Sequence, residues 1–200
     1  MKRAARPLFA LTLASALVAC GGKSITPKGL ADIMPSAADA PFGTSVQTAS
    51  LGAQTLTSFV DDPAVRAKLK SLGFRVAYTA AFATANFVND EAAAPLGSAY
   101  YATFGVLLRD AAAAKTGFAF YAARSRARAK HLSPLLTEKE LGDDSYAFHF
   151  SSLDNTPLPG VAYLWRVDNA LFSVVGLGNP SPDPAIVRDL VGKIDARAKR

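Results

Sequence analysis

Few side chains in this 200-residue sequence have the types and spacing that do chemistry. There is one cysteine, Cys20, and two histidines, His131 and His149. Hydrolysis through a covalent intermediate needs a nucleophile beside a base and an orienting acid. No Gly-x-Ser-x-Gly turn supplies the nucleophile, so no catalytic residue is expected. His131 follows a basic run at a helix end, where a cation complements the helix dipole. His149 lies on the strand face opposite Tyr146, Phe148 and Phe150, and is a candidate for ligand contact. Metal ligands are not spaced for a site: there is no His-x-x-x-His and no Cys-x-x-Cys. The adjacent carboxylates Asp61-Asp62 and Asp143-Asp144 lack the alternating oxygens of a calcium loop. Gly176-Leu177-Gly178 sits between a strand and a helix, where a dinucleotide loop belongs. Pro180, Pro182 and Pro184 remove the N–H groups that would cradle a phosphate, so no cofactor is expected either.

The cysteine has a different context. Lys2, Arg3 and Arg6 precede an apolar run from Leu8 to Val18, which is too short to span a bilayer as a helix and has the layout of an export signal. The run ends in Leu17-Val18-Ala19-Cys20-Gly21, which resembles the lipobox of bacterial lipoproteins. That resemblance implies acylation of Cys20, cleavage before it, and a membrane-anchored chain on the extracytoplasmic face of the cell membrane or outer membrane. Two or three acyl chains at about 0.8 kcal/mol per buried methylene hold such a chain permanently. Residues 1–19 are then a signal peptide, 20–29 a lipidated cysteine with a flexible tether reaching about 15–18 Å, and 30–200 one domain.

Export changes the charge arithmetic. The formal net charge is +6 on the full chain, and loss of the three signal cations leaves half of it. With export, this argues against a nucleic-acid partner. No second cysteine remains for a disulfide, so the domain must rest on its core. Arg124, Arg126, Arg128 and Lys130 fall on two sides of a helix, since alternate residues advance about 200°. They suit the last turns of a helix, where positive charge is favoured.

The elements that must position these residues are marked by caps and periods. Asp62-Pro63 opens a helix with Val65, Leu69 and Leu72 on one face and Gly73 after its end. Phe74 to Ala83 alternates, as does Tyr100 to Leu108, so both read as strands. Asp110 caps a helix to about Lys130. Tyr146 to Phe150 and Val161 to Val167 are strands, and Asp168-Asn169 turns the latter into a third over Leu171 to Leu177. Asp183-Pro184 opens the last helix, with Ile186, Val187, Leu190, Val191 and Ile194 as its stripe. Residues 30–60 carry weaker signals: a turn over residues 38–43, a short strand from Thr44 to Ser50, and loop.

The expected fold is α+β, a mostly antiparallel sheet with helices packed on one face, and its order allows a duplicated strand-strand-helix unit. The element order is similar to that of PsbP and Mog1-like domains. The segments LKSLGFRVAYTAAF, RDAAAAKTGFAFY, LGDDSYAFHF and YLWRVDNALFSVVGLG resemble uncharacterised lipoproteins of high-GC bacteria, a family with no activity to carry over.

With helices on one face, the other would present small apolar residues: Ala77, Thr79, Ala81, Ala83, Tyr101, Thr103, Leu107, Ala147, Ala162 and Leu164. Such a face invites a protein, an envelope polymer or a flat apolar ligand. The expected contact residues are Tyr101, Leu107, His149, Leu164 and Arg166. The function expected is a binding or accessory module of the cell envelope. A carrier of lipid or another apolar ligand and an exported hydrolase stand as alternatives.

Overall fold

The computed structural model describes residues 24–89, 93–135, 140–153 and 157–200. Cys20 and the signal-like segment lie outside them.

The described residues open with α1 (Pro27–Ile33), capped by the Thr26 hydroxyl accepting from the Gly29 N–H at 3.0 Å, with Pro27 where a missing N–H costs nothing. Two short strands, β1 (Ser45–Val46) and β2 (Gly52–Gln54), and a one-turn helix α2 (Leu56–Phe59) follow. Then comes α3 (Pro63–Ser71), whose Asp62 cap accepts from the Ala64 and Val65 N–H groups at 2.8 and 3.2 Å. Gly73 turns the chain at φ 69°, and β3 (Val76–Ala83) begins.

After β3 come β4 (Ser98–Leu107), α4 (Ala111–Arg128), β5 (Ala129–Lys130) and β6 (Ser133–Pro134). The chain ends through β7 (Asp144–Phe150), β8 (Ser152–Leu153), β9 (Gly160–Val167), β10 (Ala170–Asn179) and α5 (Pro184–Ala198). Asp110 and Asp183 cap α4 and α5 as their positions in the sequence predict.

The architecture is α+β, with a sheet in the order β1-β3-β4-β10-β9-β7-β6 and β2 also paired to β3. Every pairing in it is antiparallel, and β4 and β10 share ten residues of register, from Leu107 opposite Ala170 to Ser98 opposite Asn179.

The helices do not share one face. Val187, Leu190, Val191 and Ile194 of α5, with Leu30 and Ile33 of α1 and Met34 just after it, pack on Phe82, Tyr163, Trp165, Phe172 and Val174. Val65 and Leu69 of α3, with Ala113 and Ala114 of α4, pack on Ala77, Val106 and Leu171. Leu171 and Phe172 are neighbours on β10 and therefore point to opposite faces. The sheet is the middle of three layers. Fully burying each of the four α5 side chains is worth about 1.5–3 kcal/mol, so this helix alone holds the lower layer firmly.

Two further expectations are corrected. A duplicated unit would place α4 and α5 alike, since the rotation that exchanges antiparallel β4 and β10 preserves the face; the two helices stand on opposite faces. The domain also starts before residue 30. Ile25 is buried, and its N–H donates to Asn169 Oδ1 at 2.9 Å while Asn169 Nδ2 donates to its carbonyl at 3.1 Å. The segment expected to be tether is folded from Ile25 onward.

Candidate functional site

Register decides which residues share a face, because cross-strand partners point the same way. Ala77 is opposite Val106, Thr79 opposite Phe104 and Ala81 opposite Ala102. The small residues of β3 therefore stand with Tyr100, Ala102 and Phe104, not with Tyr101, Thr103 and Leu107. The expected open face is split between the two sides of the sheet, and most of it is covered.

The expected contact residues do not meet. Tyr101 and Leu107, 3% and 0% exposed, lie in the core beneath α1 and α5. Burial, with Asp183 nearby, pushes the Tyr101 hydroxyl up from its ordinary range. His149 is half-buried on β7, opposite Ser133 and Val161, on that same side of the sheet. Leu164 is buried on the other side. Arg166 donates to Asp144 at 2.8 Å, to Asp143 at 3.0 Å and to the Asp168 carbonyl at 3.3 Å, closing the end of the sheet. Its role here is to fasten the turn before β7 to the β9–β10 hairpin.

The basic run at the end of α4 is likewise taken up by structure. Arg124 pairs with Asp62 at 2.5 Å, Arg128 approaches the same carboxylate, and Arg126 covers the Tyr146 ring at 4.3 Å. The Val65 N–H, Arg124 and the Ala64 N–H hold the Asp62 carboxyl below its ordinary range. Hydrogen bonding from the Ala113 N–H and Arg109 does the same for Asp110. Asp39 is also lowered: burial opposes its charge, but Arg197 and Ser36 outweigh that cost. Among the described residues, no three His, Cys, Asp or Glu side chains gather as metal ligands.

What remains open is a patch of β3 and β4 beside α4, whose Tyr121 ring borders it at Phe104 with centroids 5.9 Å apart. A groove of about 290 Å³ lies there, with Thr79, Ala81, Ala102, Tyr100 and Phe104 as its floor. Its wall is built by the segment that carried the weakest signals. Gln54 sits on β2, held by pairing with β3, and its Nε2 donates to Thr79 Oγ1 at 3.4 Å. The next residue, Thr55, caps α2 by accepting from the Ser58 N–H at 3.3 Å, which sets Phe59 against Phe104 with ring centroids 5.5 Å apart. Ser50 and Ser58 complete the wall. Phe87 stacks on Tyr100 at 5.1 Å, and burial raises the Tyr100 hydroxyl above its ordinary range, keeping it a neutral donor.

This groove contains no Asp, Glu, Lys, Arg or His. The other grooves described differ: one beside Ile25 includes Asp32, Arg197 and Arg200; one at the sheet end includes Asp143, Arg166 and Lys199; one beside Phe42 includes Asp39, Asp189 and Lys193. Hydroxyls, one carboxamide and aromatic rings can hydrogen-bond and stack on an uncharged molecule, but they cannot neutralise an ion. Thr79 and Ala81 belong to the face read from sequence; Gln54, Phe59 and Ala102 were missed. Phe59 and Ala102 read as ordinary core or loop, and only the register brings them together.

No protein-family model matches the chain, and no curated protein matches it. Among solved structures, the extracellular domain of PknH from Mycobacterium tuberculosis is similar at 8% identity with a TM-score of 0.49, over 89% of this chain and 98% of that one. No helix of the described residues is long and apolar enough to cross a membrane.

Proposed function

We propose that this protein is an extracytoplasmic binding module, tethered to the membrane through acylated Cys20, whose β3–β4 groove takes an uncharged, partly apolar ligand. The observation that carries the ligand assignment is the composition of that groove: hydroxyls, one carboxamide and three aromatic rings, without Asp, Glu, Lys, Arg or His. Support for the tether is the signal-like segment before Cys20, with a basic start, an apolar stretch and small residues at the cleavage position. The module binds and holds; it has no catalytic step.

Native mass spectrometry tests the groove directly, on the chain extracted from its own envelope. A bound neutral molecule should be seen on the native chain and lost in Ala102→Trp, which fills the floor, and in Thr79→Lys, which adds a charge. Circular dichroism and the unfolding midpoint establish that both variants fold. A native chain carrying no adduct, or an adduct that persists in both folded variants, contradicts the assignment.

A further inference from the structure

The two ends of the sheet differ in what they expose. At the end where β4 stops and β10 starts, the described chain enters, with Ile25 fixed to Asn169 in the β9–β10 turn. Exposed Lys70, Arg75, Lys115 and Arg200 lie toward this end and carry no ion pair among the described residues. Lys28, Arg109 and Lys199 are matched by Asp32, Asp110 and Asp195. Arg166 faces Asp143 and Asp144, with Asp168 next to them, so two carboxylates offset part of the surplus and the balance stays positive.

The opposite end carries four of the five exposed large apolar side chains among the described residues, Leu51 beside β2 being the fifth. Phe42 is 105% exposed, just before β1, and Leu96 is 83% exposed, just before β4. Val88, in the β3–β4 connection, and Ile186, in the first turn of α5, are also exposed there. Arg124 and Arg128 of the nearby basic run are drawn to Asp62, and Arg126 to Tyr146.

We infer that the domain stands on an anionic lipid surface by the Arg75–Arg200 end and presents the Phe42–Leu96 end away from it. This rests on the Cys20 anchor. Between Cys20 and Ser24 the chain spans at most about 14 Å even when extended. Ten paired residues of β4 and β10 separate the two ends by roughly 30 Å. The fixed entry therefore keeps the Arg75 end within reach of the headgroups, where the surplus cations meet anionic lipid. The apolar tips cannot reach that same surface unless the domain lies on its side, which would move those cations away from it.

Since Cys20 is the only native cysteine and is consumed by acylation, single introduced cysteines report position cleanly. The acylated chain carries a nitroxide at Arg75→Cys or at Leu96→Cys, in vesicles of phosphatidylglycerol and phosphatidylcholine. Power saturation reads collisions with oxygen and with a water-soluble nickel chelate. The label at 75 should lose accessibility to the chelate, and regain it at high salt or in vesicles of phosphatidylcholine alone. The label at 96 should stay fully accessible throughout. Protection at 96 instead of 75, or equal accessibility at both, overturns the orientation. Protection at 75 that salt and lipid charge leave unchanged overturns the electrostatic contact. A chain that does not float with the vesicles fails the Cys20 anchor itself, and the orientation falls with it.

Discussion

Replacing Asn169 by Ala removes the clamp that fixes where the chain enters the domain. Its carboxamide makes two hydrogen bonds to Ile25, at 2.9 and 3.1 Å, and Asn169 is 1% exposed. Each bond is worth about 0.5–1.5 kcal/mol net, and the Ile25 N–H and carbonyl left behind are largely removed from water, which adds to the cost. A loss of about 2–3 kcal/mol follows. That is too little to undock α1, because Leu30, Ile33 and Met34 are nearly fully buried and together hold it by roughly 5–9 kcal/mol. The variant should therefore stay folded, with Ile25 freed and α1 in place. Urea unfolding of the chain from residue 20, carrying Cys20→Ser, should show that loss with an unchanged slope, and the melting temperature should fall by about 5–10 °C. Amide exchange should speed up at Ile25 but not at Met34. A loss below about 0.5 kcal/mol, or exchange that speeds up equally along α1, would mean that Asn169 does not clamp the entry of the chain.

Asp39 is bound by Arg197 at 2.6 and 3.1 Å and its carboxyl is lowered, so its stabilising contribution is full above the unfolded carboxylate range near 3.8 and is lost as pH falls below it. Urea midpoints between pH 2 and 6 should fall less steeply in Asp39→Asn than in the native chain; equal slopes contradict this. A Cβ at Gly160 would stand 2.2 Å from the Gly176 carbonyl oxygen, so Gly160→Ala should cost about 1–3 kcal/mol, or more if β9 and β10 separate, read as a lower urea midpoint. Trp165 is 0% exposed and is the one tryptophan, so acrylamide should quench its fluorescence only after unfolding.

Much of the fold was legible because its signals are local. Asp62-Pro63, Asp110 and Asp183-Pro184 open helices where such caps should, and the alternating runs are the strands. The segment from 24 to 60 was not, because strands of two or three residues and a one-turn helix are too short to show a period. Residues 21–29, which include the first three residues of α1, read as tether because Gly-Gly-Lys-Ser and Pro-Lys-Gly resemble linker composition. What fixes it is contact with a turn 144 residues away, which no window along the sequence contains.

The faces of the sheet failed for another reason. A central strand covered on both sides is apolar at both parities, so alternation along β4 or β9 shows a strand but not which side is open. Tyr101, Leu107 and Leu164 therefore looked like surface when they are core. Alanine misled in the same way: Ala77 and Ala147, whose small side chains suggest an open face, are both 0% exposed. The groove depends on β2 and α2 reaching across to β3, a placement visible only in the assembled sheet.

The proposed module is held at the membrane only if Cys20 is acylated. The intact mass of the N-terminal peptide from the chain purified out of its native membrane tests it most directly. The expected peptide begins at Cys20 and is heavier by a diacylglyceryl group, and it is absent when Cys20→Ser is expressed instead. A chain that keeps its first nineteen residues, or one that carries Cys20 as a free thiol, would contradict it.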